Sequence, residues 1–238
     1  MHSEGANLPV IEIDSQYHNL IPSRFPPVPV YERIANGNDA YFAAVEELTN
    51  PRVREKQRLT KGIAAVDEQS PRLQSWNHAP FAYPNPEGSK FYGRDRNVVE
   101  LAADLQTALA VSVIRRENFL KRTSEPATAI EIRQLTRKVT GSFIDARNWK
   151  GISDRERRLN LGEEAVSRSL DGIIFHPHER PSANSVVVLK PDCLGRPNQA
   201  EHFKFLWNGN CITVLYAFGA DKTYDPTDLQ LPNDILAA

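Results

Sequence analysis

Two cysteines in 238 residues are too few for a disulfide scaffold, and Cys193 and Cys211 lack metal-site spacing. A single bridge between them stays open, but a reducing, cytoplasmic setting fits such sparse usage best. Neither has an activating neighbour in sequence, which argues against a nucleophilic role. A charge excess is also missing: 29 basic and 30 acidic residues leave a formal net charge of -1. A dedicated binder of nucleic acid or of an anionic membrane normally shows a basic surplus or patch, so neither partner is expected. Residues 1–5 have no positive stretch leading into an apolar core, so no secretory signal is expected. The longest apolar run, near residues 211–220, is too short and too interrupted to span a bilayer. Repeats and low-complexity tracts are absent as well.

What the chain does have is an ordinary globular composition, 40% hydrophobic and 25% charged, at a length that buries a substantial core. Proline is frequent at 17, and it clusters at Pro22, Pro26, Pro27 and Pro29. Each proline fixes φ and restricts the residue before it, so residues 21–30 are expected to run extended across the surface, anchored by Phe25, Val28, Val30 and Tyr31. Residues 39–48 read as a helix stopped by Asn50-Pro51. Residues 98–101 read as a short strand. Asp104 then offers an N-cap, and Leu105, Ala108, Leu109, Val111 and Ser112 follow at helical spacing to about Lys121. Residues 129–135 alternate like a half-buried strand. A helix over 163–170 leads through Asp171-Gly172 into a buried strand at 173–175, and the valines of 185–189 form another. Residues 202–207 and 211–216 read as a hairpin around Asn208-Gly209-Asn210. The mixture predicts an α+β fold in one domain over 21–220, with an N-terminal extension over 1–20 and a loosely attached tail over 221–238.

Several segments taken in order resemble the RES-domain family. They are Ile21-Pro22-Ser23-Arg24-Phe25-Pro26-Pro27, Leu48-Thr49-Asn50-Pro51-Arg52, Ala79-Pro80-Phe81, Gly88-Ser89-Lys90-Phe91, and Glu117-Asn118-Phe119-Leu120 with Ser124-Glu125-Pro126. Asp171-Gly172-Ile173-Ile174-Phe175, residues 186–191, and His202-Phe203-Lys204-Phe205-Leu206-Trp207-Asn208-Gly209 continue the match. The resemblance implies a split mixed β-sheet with flanking helices, similar to ADP-ribosyltransferases, with a dinucleotide cleft. It implies toxins that cleave NAD between nicotinamide and ribose and are blocked by an antitoxin partner. No tightly held cofactor is implied; NAD would be substrate or ligand.

Such chemistry has definite needs. An arginine grips a pyrophosphate through two parallel charge-assisted hydrogen bonds. A carboxylate steadies positive charge on the ribose as the glycosidic bond breaks, or activates the nucleophile. A tyrosine and a serine orient the ligand. The family pattern sets an arginine after Gly-Ser, a tyrosine ten residues on, a helix glutamate eleven further, and a serine after the Asp-Gly strand. In this chain those positions carry Lys90, Glu100, Val111 and Pro177. Lysine keeps the charge and loses the fork, glutamate sets an anion where a phenol belongs, valine titrates nothing, and proline has no hydroxyl.

The expected reading is therefore a RES-like pseudoenzyme whose cleft has lost its electrostatic groups and which binds a nucleotide or a protein. An active enzyme with a rearranged site, using Glu100 or His178, is the alternative, and a pure interaction module is a third. Lys90 and Glu100 are expected to form an ion pair filling the cleft, or else a rewired ligand site. His176 and His178 flank Pro177, with Glu179 beside them, and are ligand-binding candidates; the two could bind a metal, but no third ligand is identifiable, and solvated loop histidines fit better. Arg155 to Arg158 read as a solvated helix face, and Trp76, Trp149 and Trp207 as packing residues. An arginine and an acid converging on an open hollow would contradict the emptied cleft.

Overall fold

The computed structural model describes residues 8–23, 38–61, 65–67, 69–83 and 85–236. Most of the proline-rich stretch, including Phe25, Val28, Val30 and Tyr31, lies outside them. Eight strands form one mixed sheet: β1 (Val10–Pro22), β2 (Val99–Ala102), β3 (Thr128–Asp145), β4 (Gly172–Phe175), β5 (Ser185–Val188), β6 (Asn198–Trp207), β7 (Ile212–Ala217) and β8 (Lys222–Tyr224). The described helices are α1 (Asp39–Thr49), α2 (Pro51–Lys61), α3 (Ser75–Ala82), α4 (Leu105–Thr123) and α5 (Arg155–Ser167). This is the α+β fold that the sequence implied.

The strand order is β1-β2-β5-β4-β3-β6-β7-β8, and β1 also pairs with β3. That second pairing closes β1, β2, β5, β4 and β3 into a ring, from which β6–β8 extend. β3 is where the sheet splits. One edge of it takes antiparallel β1 along the whole length of β1, while the other edge carries antiparallel β6 over 128–136 and parallel β4 over 143–145.

Side chains alternate across this ring. Ile13, Tyr17, Val99, Leu101, Val139, Phe143, Ile174, Val186 and Val188 meet in one cluster inside it. Val187, Ile173 and Phe175 face the other way, against Leu161 and Ala165 of α5. Burial on both faces is why 186–188 reads as unbroken valine rather than an alternating pattern. A third cluster joins Leu109, Val113 and Leu120 of α4 to Phe203, Phe205 and Leu215 of β6 and β7.

Several boundaries differ from the sequence reading. Residues 10–22, most of them assigned to an extension, are instead an integral strand, β1. β3 runs ten residues past Leu135, because its polar stretch Thr136-Arg137-Lys138 hides burial: Arg137 is 1% exposed and bonded to Asn19 Oδ1, Asn77 Oδ1 and the Trp76 carbonyl. α5 starts at Arg155, capped by Asp154, so the basic run lies inside it. Arg158 is not a solvated arginine, since it donates to the Lys90 and Ile152 carbonyls. The tail is not loose either. Leu229 is fully buried, and the buried Gln106 amide donates to the carbonyls of Leu229, Leu231 and Asn233 and accepts from Ile235 N. Arg180 adds bonds to the Leu231 and Pro232 carbonyls while pairing with Asp104 at 2.9 Å.

The readings of α1, β2, the Asp104 cap of α4, β4, β5 and the β6–β7 hairpin agree with the structure. Asp104 accepts from Thr107 N at 2.7 Å. Trp149 and Trp207 are buried packing residues. Both cysteines are free thiols, and burial beside Asp171 pushes Cys193 up to about 12, far from a reactive thiolate. No helix among the described residues is long and apolar enough to cross a membrane.

Candidate functional site

One cavity of about 840 Å³ opens between α4, the loop 85–90 and the outer face of the ring. That volume falls within the roughly 300–1,000 Å³ of small-molecule sites. Its floor is a cross-strand row: His18 of β1 opposes Ala102 of β2, Ala102 opposes Ser185 of β5, and Ser185 opposes Phe175 of β4. One wall is a stripe of α4, where Ala108, Val111, Ser112, Arg115, Phe119 and Arg122 recur at helical spacing. The opposite wall is the loop 85–90, turned by Gly88 at φ +71, where a Cβ would meet the Tyr92 carbonyl at 2.6 Å. Arg122 and Glu87, 2.6 Å apart and both exposed, link the two walls across the mouth.

Lys90, Glu100, Val111 and Pro177 all line this cavity. Four positions spread over 88 residues of sequence thus meet in one place. Their contacts are not the expected ones. Lys90 touches Glu100 through its backbone N–H, which donates to Oε1 at 2.9 Å. Its ammonium instead lies 4.8 Å from the centre of the Phe175 ring. The other carboxylate oxygen of Glu100 pairs with Arg115. The anticipated Lys90–Glu100 ion pair is therefore replaced by Arg115–Glu100, because α4 brings Arg115 over β2 while the Lys90 stem turns to the ring. Burial holds the Lys90 ammonium below the usual lysine range; Glu179 acts against that shift, and Arg158 and Arg115 add to it.

The expectation of a cleft stripped of charge does not hold. Arg115 keeps 55% of its side chain open to solvent beside Glu100, at 12%. Arg116 lines the same wall, and its Nε is sealed without a partner. Burial and then the neighbouring Arg115 charge lower its affinity for its proton. Glu179 lines the cavity and makes no hydrogen bond to another described residue. His176 and His178 are not brought to the cavity. The His176 Nδ1 faces the Ala183 carbonyl at 2.6 Å, and His178 is exposed. No group of three or more potential ligands able to hold a metal is present among the described residues.

Arg115, Arg116, Arg122 and His18 were missed in the sequence, and Glu179 was noted there only as a neighbour of the two histidines. For Arg115 and Arg122 a signal existed: extending the helical period from Val111 by one and three turns reaches them. For His18 none did, since only the β1–β2 pairing brings it to the floor.

Comparison with known proteins bears on this arrangement. The RES domain matches residues 68–208, more than half of the chain. The uncharacterized protein y4oC of Sinorhizobium fredii (strain NBRC 101917 / NGR234) is 46% identical over 209 residues, 87% of this chain and 90% of that protein. Among solved structures, the M. tuberculosis MbcT-MbcA toxin-antitoxin complex aligns with 84% of this chain and 87% of its own at 11% identity and a TM-score of 0.42. The family match and its coverage make this chain a member of the RES domain family.

Proposed function

We propose that this RES protein binds an anionic dinucleotide of the NAD class in the α4 cleft and does not cleave it efficiently. The observation carrying this reading is the pairing of Arg115 with Glu100 inside the cavity where the four family positions meet. Arg115, paired with Glu100 but with 55% of its side chain open to solvent, supplies the guanidinium that Lys90 lacks, from one helical turn beyond Val111, and Lys90 and Arg116 add charge for a pyrophosphate. At the helix position of the family glutamate stands Val111, which cannot steady a ribosyl cation. Glu100, an acid in the same cavity, is already engaged by Arg115 and the Lys90 N–H. Loss of a positioned carboxylate commonly removes about 10²–10⁴-fold in rate.

Calorimetric titration with NAD, alongside an assay for nicotinamide release, tests this. Binding heat without release is expected, with affinity reduced about tenfold in Arg115→Ala. Sustained release, or no heat at all, would refute it. One observation favours an active reading: the unbonded Glu179 carboxylate in the cavity wall. Release that vanishes in Glu179→Ala would support that second reading.

A further inference from the structure

The geometry points to His18 as a ligand-contacting donor that reads an uncharged oxygen, a hydroxyl or an amide carbonyl, on the nucleotide in this cleft. The inference rests on the binding reading above and extends it to a residue outside the matched span 68–208. His18 opposes Ala102, which opposes Ser185. Directly opposed residues on neighbouring strands point to the same face, and these three line the cavity. The small Ala102 side chain lies between the imidazole and the Ser185 hydroxyl in this row.

The tautomer of His18 is set from behind. The Glu201 backbone N–H, which can only donate, bonds Gln134 Oε1 at 3.2 Å. That fixes the amide orientation, so Gln134 Nε2 is the donor to His18 Nδ1 at 2.9 Å. With Nδ1 accepting, the ring proton sits on Nε2, which has no protein partner among the described residues. Burial favours this neutral ring, while the Asp104 charge acts in the opposite direction. A neutral N–H in the floor row beside Ala102 and Ser185 suits an uncharged acceptor, and the phosphates have Arg115 and Arg116 on the α4 wall.

The test compares calorimetric Kd values for NAD and for inorganic pyrophosphate in the wild type, His18→Ala and His18→Gln. His18→Ala is expected to weaken NAD about tenfold and leave pyrophosphate unchanged. His18→Gln, whose amide nitrogen reaches near the Nε2 position, should recover most of the loss. Unchanged NAD affinity in His18→Ala, or equal weakening of both probes, overturns the assignment. A wild type that binds neither probe refutes the binding reading itself and the His18 assignment with it. Nitrogen-15 NMR of the wild-type imidazole needs no variant. Nε2 should carry the proton and shift on addition of NAD but not pyrophosphate, and an unmoved Nε2 signal with NAD bound also overturns the inference.

Discussion

Lys90 holds its ammonium over the Phe175 ring, with Arg158 and Arg115 near enough to press its proton off and Glu179 near enough to keep it on. Burial dominates, so the folded-state pKa lies below the ordinary 10.5. The sign follows: the charged form costs the folded state stability at low pH, and the cost is relieved as pH rises through the folded pKa toward 10.5. A bound anion favours the ammonium, so pyrophosphate affinity should fall as pH climbs through that pKa, before ordinary lysines titrate. Calorimetry from neutral pH to about pH 10 checks this, and Lys90→Arg should flatten the profile. Val111 tests the missing carboxylate directly. Val111→Glu places an acid on the cavity wall one turn from Arg115, and nicotinamide release should rise above the parent rate. Unaltered release, with NAD still bound, would count against a missing carboxylate as the cause of weak cleavage.

Helix α4 serves two ends of the molecule at once. Its outer stripe carries Val111, Ser112 and Arg115 into the cavity, while Leu109 and Val113 pack on β6 and β7. Its first turn holds Gln106, whose amide binds three carbonyls and one N–H of the chain's last described stretch. Gln106→Ala leaves those groups without their partner, and the penalty for unsatisfied buried groups is about 1–3 kcal/mol each way it is measured. The expected outcome is a lower Tm with faster amide exchange confined at first to residues 229–236. A variant with parental exchange there would show that Leu229 alone seats the tail. The start of this helix was legible because Asp104 precedes a 3.6-residue pattern. The tail was not, because its seven polar contacts reach residues more than fifty positions away.

At the scale of the whole molecule, β1 closes the ring. It pairs with β3 from Val10 to Pro22 and delivers Ile13 and Tyr17 to the interior cluster. A chain begun at residue 23 would leave the β3 edge unpaired and that cluster open on one side. Loss of the cooperative thermal transition is expected, read by circular dichroism; a parental melting curve would show that the ring holds without β1. The same reasoning applies to residues 68–208 alone, which lack β1, β7 and β8.

The amino-acid sequence by itself determined the α+β class, the start of α4, the positions of β2, β4 and β5, and the β6–β7 hairpin. Each of these is written in local period, capping or turn chemistry, or in the order of short motifs. Tertiary structure alone decided that Arg115 rather than Lys90 pairs with Glu100, that His18 joins the cleft floor, and that a segment read as an extension closes a ring. Those outcomes depend on which strand edges and helix faces meet. A periodic pattern names the face an element buries but not the distant partner that covers it.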